Sequence, residues 1–325
     1  MKKKHRLFCI ALLLCGLASA WPRDAFYNGD DYTIALSYTD TVKPGEAVFV
    51  RLRFESTDRS AAQADALTSA LLILPSIGQC EFYAVPVRAA GNQHVKEFLA
   101  AVPLSTYQES GSIELQIVYN AFGGKTMEFS LPVQIDAKEF ISEVIPLDSR
   151  NTGIRTDNSP ERIAQINKLN TILETINPDA VYQTEPFTPP TDAVRRTSFF
   201  GDRRTYAYSD GTSEESLHFG IDYGIPTGSP VAACGAGKVV LAENRISTGW
   251  SVVIEHLPGL YSLYYHMDSL LVREGQIVRQ GEQLGVSGAT GLATGPHLHW
   301  EVRLNMEAVD PDFFTADFSF SSKHN

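Results

Sequence analysis

Apolar and polar positions alternate through residues 32–38. They do so again through residues 47–54, where Val48, Val50, Leu52 and Phe54 fall on one face and Arg51 and Arg53 on the other. A period of two is that of a strand with one buried face. Val42-Lys43-Pro44-Gly45-Glu46 between them reads as a turn. Residues 70–74, 82–87, 112–119 and 127–135 are further strand candidates, separated by polar or glycine-containing turns such as Gly123-Gly124. Short strands with regular turns predict a β-sandwich of immunoglobulin-like type over residues 21–137. The period then changes. Ile163, Ile166, Leu169, Leu173 and Ile176 recur every three or four residues, with Ser159 placed to cap a helix and Pro160 at its first position. Asn177-Pro178 stops this helix, and Pro186, Pro189 and Pro190 mark the entry to a last region. Residues 138–185 are thus expected to be a connector with one helix, and residues 186–325 a second domain. Its apolar runs at 252–256 and 261–266 read as strands, and Gly275, Gly281, Gly285 and Gly288 as turn positions of a hairpin region.

The start of the chain changes the picture of where it works. Residues 1–6 carry four positive charges, residues 7–17 are apolar apart from Gly16, and Ala18-Ser19-Ala20 fits a small-x-small cleavage site. This predicts a secretory signal peptide over residues 1–20. Leu12-Leu13-Leu14-Cys15 has the outline of a lipoprotein site, but a large Leu14 before the cysteine disfavours it. Loss of Lys2, Lys3, Lys4 and Arg6 takes the net charge from −11 to −15. An acidic exported chain is a poor partner for nucleic acid or anionic lipid. Only Cys80 and Cys234 remain, in different expected domains, so a disulfide framework is not expected. The mature chain is expected to lack a spanning segment and to lie in the periplasm or cell envelope.

The chemistry concentrates in two segments, His218-Phe219-Gly220-Ile221-Asp222 and His297-Leu298-His299. On a strand, residues two apart share a face, so His297 and His299 can address one site, as can His218 and Asp222. Gly220 and Gly224 argue against a helix interior there. Two imidazoles and a carboxylate would leave one tetrahedral position of a zinc ion open, an arrangement for catalysis rather than structure.

From about residue 199 the chain resembles the M23 family of zinc metallopeptidases, the lysostaphin-type or LytM-like peptidoglycan endopeptidases. The resemblance lies in an ordered series: Phe200-Gly201-Asp202-Arg203, the His218 to Asp222 segment, Gly228-Ser229-Pro230-Val231-Ala232-Ala233, Gly235-Ala236-Gly237-Lys238-Val239, Tyr264-Tyr265-His266-Met267, Gly288-Ala289-Thr290-Gly291, and Thr294-Gly295-Pro296-His297-Leu298-His299-Trp300-Glu301. It implies an antiparallel β-sheet peptidase domain whose sheet floors a cleft walled by loops. It further implies one Zn2+ per chain held by His218, Asp222 and His299, with His266 and His297 as unligated catalytic histidines. Zinc lowers the pKa of a coordinated water to about 7 and polarises a carbonyl, leaving proton handling to the two histidines. No H-E-x-x-H occurs, so there is no helix-borne glutamate base.

Duller readings stand beside these. His266 on its own could be a satisfied core histidine, and His256 at a strand end reads as structural. Arg203 could contact substrate or only make an ion pair, and Tyr206 and Tyr208 match the family pattern loosely. His94 and His324 have no supporting context. The turn glycines do not form a phosphate cradle, because no strand–loop–helix with Gly-Lys-Ser/Thr surrounds them. The expected function is zinc-dependent hydrolysis of amide bonds in peptidoglycan cross-links. The rival is a catalytically inactive regulator of the same fold that activates a cell-wall amidase; such a protein should have lost ligands, whereas all five positions are filled. A peptidase acting on secreted proteins would use the same chemistry.

Overall fold

The computed structural model describes residues 23–28, 32–56, 68–86 and 95–315; the expected signal peptide, Cys15, His94 and His324 lie outside them. The chain is mainly β, and its described residues divide into two compact units, one up to residue 137 and one from residue 138.

In the first unit, Arg23–Asn28, Tyr32–Tyr38, Ala47–Ser56, Val95–Pro103 and Tyr83–Val85 form one five-stranded sheet. Thr41–Val42, Thr126–Ile135, Gly111–Asn120, Ser69–Leu74 and Gly78–Glu81 form a second. One apolar core lies between them. It takes Val48, Val50, Leu52 and Phe54 from the alternating strand, Leu72 from Ser69–Leu74, Ile117 from Gly111–Asn120 and Val133 from Thr126–Ile135. On the opposite face Arg51 and Arg53 both pair with the buried carboxylate of Glu97. Val95–Pro103 escapes a period-two reading because Val95 and residues 97–102 are all buried, so its inner half shows no polar face. Of the expected strand at 82–87, the described residues form Tyr83–Val85 in the first sheet, directly after Gly78–Glu81 in the second.

In the second unit a sheet runs in the order Arg196–Ser198, Gly220–Tyr223, Leu298–Leu304, Leu260–Leu270, Gly249–Leu257, Gly237–Arg245 and Ile277–Val278, with Pro230–Ala232, Gln283–Ser287 and Glu307–Val309 joined at its margins. A separate three-stranded sheet holds Ser142–Pro146 parallel to Arg203–Ala207, which is antiparallel to Ser213–Leu217. Residues 138–185 carry that first strand and two helices, Ser149–Arg155 and Pro160–Glu174. Ser159 caps the longer helix by accepting a hydrogen bond from Arg162 N at 3.2 Å. Of the apolar stripe, Leu169 and Leu173 pack, together with Ile172, on Leu241, Val253, Tyr261, Leu263 and Tyr265 of the large sheet, while Ile163 and Ile176 are exposed. These sheet residues share one face, since Leu241, Val253 and Leu263 are aligned in register and Tyr261, Leu263 and Tyr265 alternate along one strand. Farther along the same face, Tyr265 is aligned with His299 and His299 with Asp222. The helix therefore covers one end of the sheet face whose other end carries the candidate ligands. Cys234 is buried and Cys80 partly so, and neither forms a disulfide. Among the described residues no helix is long and apolar enough to cross a membrane.

Candidate metal centre

Strand pairing sets the first two donors side by side. Gly220–Tyr223 runs antiparallel to Leu298–Leu304, with Asp222 opposite His299. His218 precedes the strand in a turn fixed from both sides: its N–H donates to Asp202 O at 2.9 Å, and its carbonyl accepts from Gly201 N at 2.8 Å. Gly220 makes this approach possible, because a Cβ there would lie 2.3 Å from Trp300 O and 2.9 Å from His299 Nε2. The Tyr265 ring stacks on His299 with centroids 5.5 Å apart and planes 5° from parallel, which fixes the imidazole against the sheet.

The hydrogen bonds behind each ring decide which nitrogen faces inward. His218 Nδ1 lies 2.8 Å from the carbonyl of Phe199, a pure acceptor, so Nδ1 carries the proton and Nε2 presents a lone pair. His299 Nε2 lies 3.4 Å from the Glu301 carboxylate, and donation there would leave Nδ1 free to face a metal. Those two nitrogens are 3.0 Å apart and lie 3.0 and 2.9 Å from Asp222 Oδ1. Three potential donor atoms converging this closely around a carboxylate form a site that a cation would satisfy. A tetrahedral zinc with bonds of about 2.0–2.1 Å spaces its ligands about 3.3 Å apart, so a small opening of this triangle accommodates one. The donor types, two imidazoles and one carboxylate, fit that ion. The same demand for positive charge shows in His299: burial lowers its pKa, but Asp222 and Glu301 outweigh this and raise it to about 9.

Two further imidazoles stand against this triangle. His266 Nδ1 donates to Thr290 O at 2.8 Å and His297 Nδ1 to Gly295 O at 2.9 Å, so both present Nε2. Their ring centroids are 4.7 Å apart, His266 lies 6.2 Å from the His299 ring, and His297 Nε2 is 3.8 Å from Asp222 Oδ1. His266 is held at a left-handed φ of 61°, its N–H bonded to Thr248 O at 2.8 Å. A strained non-glycine backbone of this kind is one way to aim a side chain out of a strand's regular alternation. Burial, then the neighbouring His297 and His299, push the His266 pKa down to about 3. The fold thus brings together all five residues singled out in the sequence.

Others fall elsewhere. His256 is fully buried away from the triangle, with Nδ1 donating to Ala236 O at 2.7 Å and Nε2 2.7 Å from Ser262 Oγ. The Arg203 guanidinium lies over the Phe140 ring at 4.5 Å. The Tyr206 ring packs under Arg155 and the Tyr208 hydroxyl meets Glu214. Two residues the sequence reading passed over do touch the donors. Glu301 orients His299, and its signal was available, since it is two residues from His299 on the same strand face. Arg204, whose Nη2 donates to Asp222 Oδ2 at 3.0 Å, had no such signal.

Fold and donors together define a β-sheet domain built to hold a metal ion. Residues 216–311 match the family model for Peptidase family M23. The match lies within the second unit, which is thus similar to peptidase family M23. Peptidoglycan DD-endopeptidase ShyB of Vibrio cholerae is 38% identical over 123 residues, which are 37% of this chain and 28% of ShyB. DD-carboxypeptidase/endopeptidase Mpg of Neisseria meningitidis is 43% identical over 95 residues, 29% of this chain and 22% of Mpg. The matched stretch thus spans less than a third of these relatives. A crystal structure of a Pseudomonas aeruginosa protein described as an M23 peptidase aligns over 85% of this chain and 95% of its own, with a TM-score of 0.52 and 23% identity. That likeness is one of fold, and it reaches beyond the matched domain.

Proposed function

We propose that the protein is a zinc-dependent endopeptidase that hydrolyses amide bonds in peptidoglycan peptide cross-links. The observation that carries this reading is the convergence of three ligand atoms from His218, Asp222 and His299 beside two imidazoles that each present Nε2. When bound, zinc would supply a Lewis acid that polarises a carbonyl and lowers the pKa of a water to about 7. The chain supplies the rest. His218 Nε2, Asp222 Oδ1 and His299 Nδ1 would hold the ion, and the side of the triangle facing His266 and His297 would admit the scissile amide. Amide hydrolysis needs a proton removed from the attacking water and a proton given to the leaving nitrogen. An imidazole with one nitrogen tied to a carbonyl and the other free can accept at Nε2 and donate from the same atom. With its pKa near 3, His266 is neutral at pH 7 and enters the reaction as an acceptor. The peptidoglycan substrate is taken from the name of ShyB, and an envelope location follows from that substrate together with the expected signal peptide.

Digestion of purified peptidoglycan tests the proposal, with products identified by mass. Zinc-loaded protein should convert cross-linked muropeptides to monomers, and His299→Ala and His266→Ala should not. Intact cross-links after incubation with protein carrying one zinc per chain would refute it.

A further inference from the structure

We infer that Arg204 is a positioning residue of the metal site, which holds Asp222 as a one-oxygen ligand. The inference rests on the metal-site reading above. The two oxygens of Asp222 have separate surroundings. Oδ1 faces His218 Nε2 and His299 Nδ1 at 3.0 and 2.9 Å, whereas Oδ2 accepts from Arg204 Nη2 at 3.0 Å. A carboxylate can bind a cation through one oxygen or both. Two-oxygen binding would take up the position that a water or substrate carbonyl needs, and the bond from Arg204 competes for the Oδ2 that it would use. The guanidinium is buried, only 9% exposed, so this bond is little weakened by solvent.

An arginine this close to a metal ligand carries a charge that opposes the cation, and the fold compensates for it. Arg204 Nε donates to Glu143 Oε1 at 2.8 Å. Glu143 lies on Ser142–Pro146, the strand paired in parallel with Arg203–Ala207, and is the direct register partner of Arg204. Glu143, Arg204 and Asp222 thus form a relay that begins on a strand outside the matched residues 216–311 and ends on a donor atom. The planar fork of arginine satisfies both carboxylates at once, which a lysine ammonium cannot do with the same geometry.

The test uses the full chain loaded with cobalt(II), whose visible bands are intense in four-coordinate sites and weak at higher coordination, together with zinc affinity from competition with a chelator. Wild type should show four-coordinate bands. Arg204→Gln should lose most of that intensity and bind zinc about 10- to 100-fold more weakly. Arg204→Lys should recover part of both. Glu143→Gln should keep the wild-type bands but bind more weakly, because the Arg204 charge is then uncompensated. Wild-type bands and affinity in Arg204→Gln would overturn the inference, even if its apo form melted earlier, since that would mark a purely structural ion pair. If Arg204→Gln does not fold, Glu143→Gln decides, and unchanged zinc affinity there overturns it. A wild type that binds neither ion would instead sink the metal-site reading itself, and this inference with it.

Discussion

Replacing Gly220 with alanine probes how the ligands are brought together. The φ of Gly220 is not in the left-handed region, so the substitution strains no dihedral and only space is at issue. The new Cβ would lie 2.3 Å from Trp300 O, 2.9 Å from Trp300 C and 2.9 Å from His299 Nε2. An ordinary carbon–oxygen contact is about 3.3 Å or more, so the two strands must part by about 1 Å. Neither neighbour yields easily, since Trp300 is fully buried and His299 is fixed between Tyr265 and Glu301. Forcing a methyl into packed structure costs about 1–3 kcal/mol. The same displacement falls on Asp222 and His299, whose donor atoms now meet at 2.9 Å. A 1 Å misplacement at reacting groups can cost about 100-fold in rate. Urea unfolding followed by tryptophan emission, zinc competition and peptidoglycan digestion together measure these effects. Stability within about 0.5 kcal/mol of wild type, with unchanged zinc affinity, would refute the packing argument.

His266→Ala and His297→Ala should each retain one zinc per chain while turnover falls about 100- to 10,000-fold; zinc loss in either would make that residue a ligand. Glu301→Gln should weaken zinc binding about 10-fold, since His299 Nε2 loses a charged acceptor; competition with a chelator reads this directly, and an unchanged affinity would remove Glu301 from the site. His256 sets a pH dependence of stability. Burial lowers its pKa from 6.5 to about 4, so the unfolded chain binds a proton that the folded one refuses. Its stabilising effect is complete above pH 6.5 and lost as pH falls toward 4, a difference of about 3 kcal/mol. His256→Gln should therefore flatten the fall in urea stability between pH 7 and 4.5; an equally steep fall would show that other groups cause it.

The parts of the fold legible in the sequence are those where one face is buried and the other wet. Residues 51–54 and the helix from Pro160 show their periods because Arg51 and Arg53, or the polar residues between the leucines, are less buried than their apolar neighbours. Val95–Pro103 shows none, being buried over most of its length. Ser142–Pro146 has alternating exposure but pairs with a partner some sixty residues on, a contact no local pattern announces. The site divides in the same way. His218, Asp222, His266, His297 and His299 stand out through their ordered motifs, and Glu301 through strand parity. Arg204 reaches Asp222 only because its strand folds back beside the Gly220–Tyr223 region, which makes it invisible to spacing and plain in three dimensions.

The most direct test of the account is anomalous diffraction at the zinc edge from crystals of the zinc-loaded protein. The account requires one peak per chain, about 2.0–2.1 Å from His218 Nε2, Asp222 Oδ1 and His299 Nδ1, with His266 and His297 outside bonding distance. A peak bonded to His266 or His297 in place of His299, or no peak at this triangle, would contradict it.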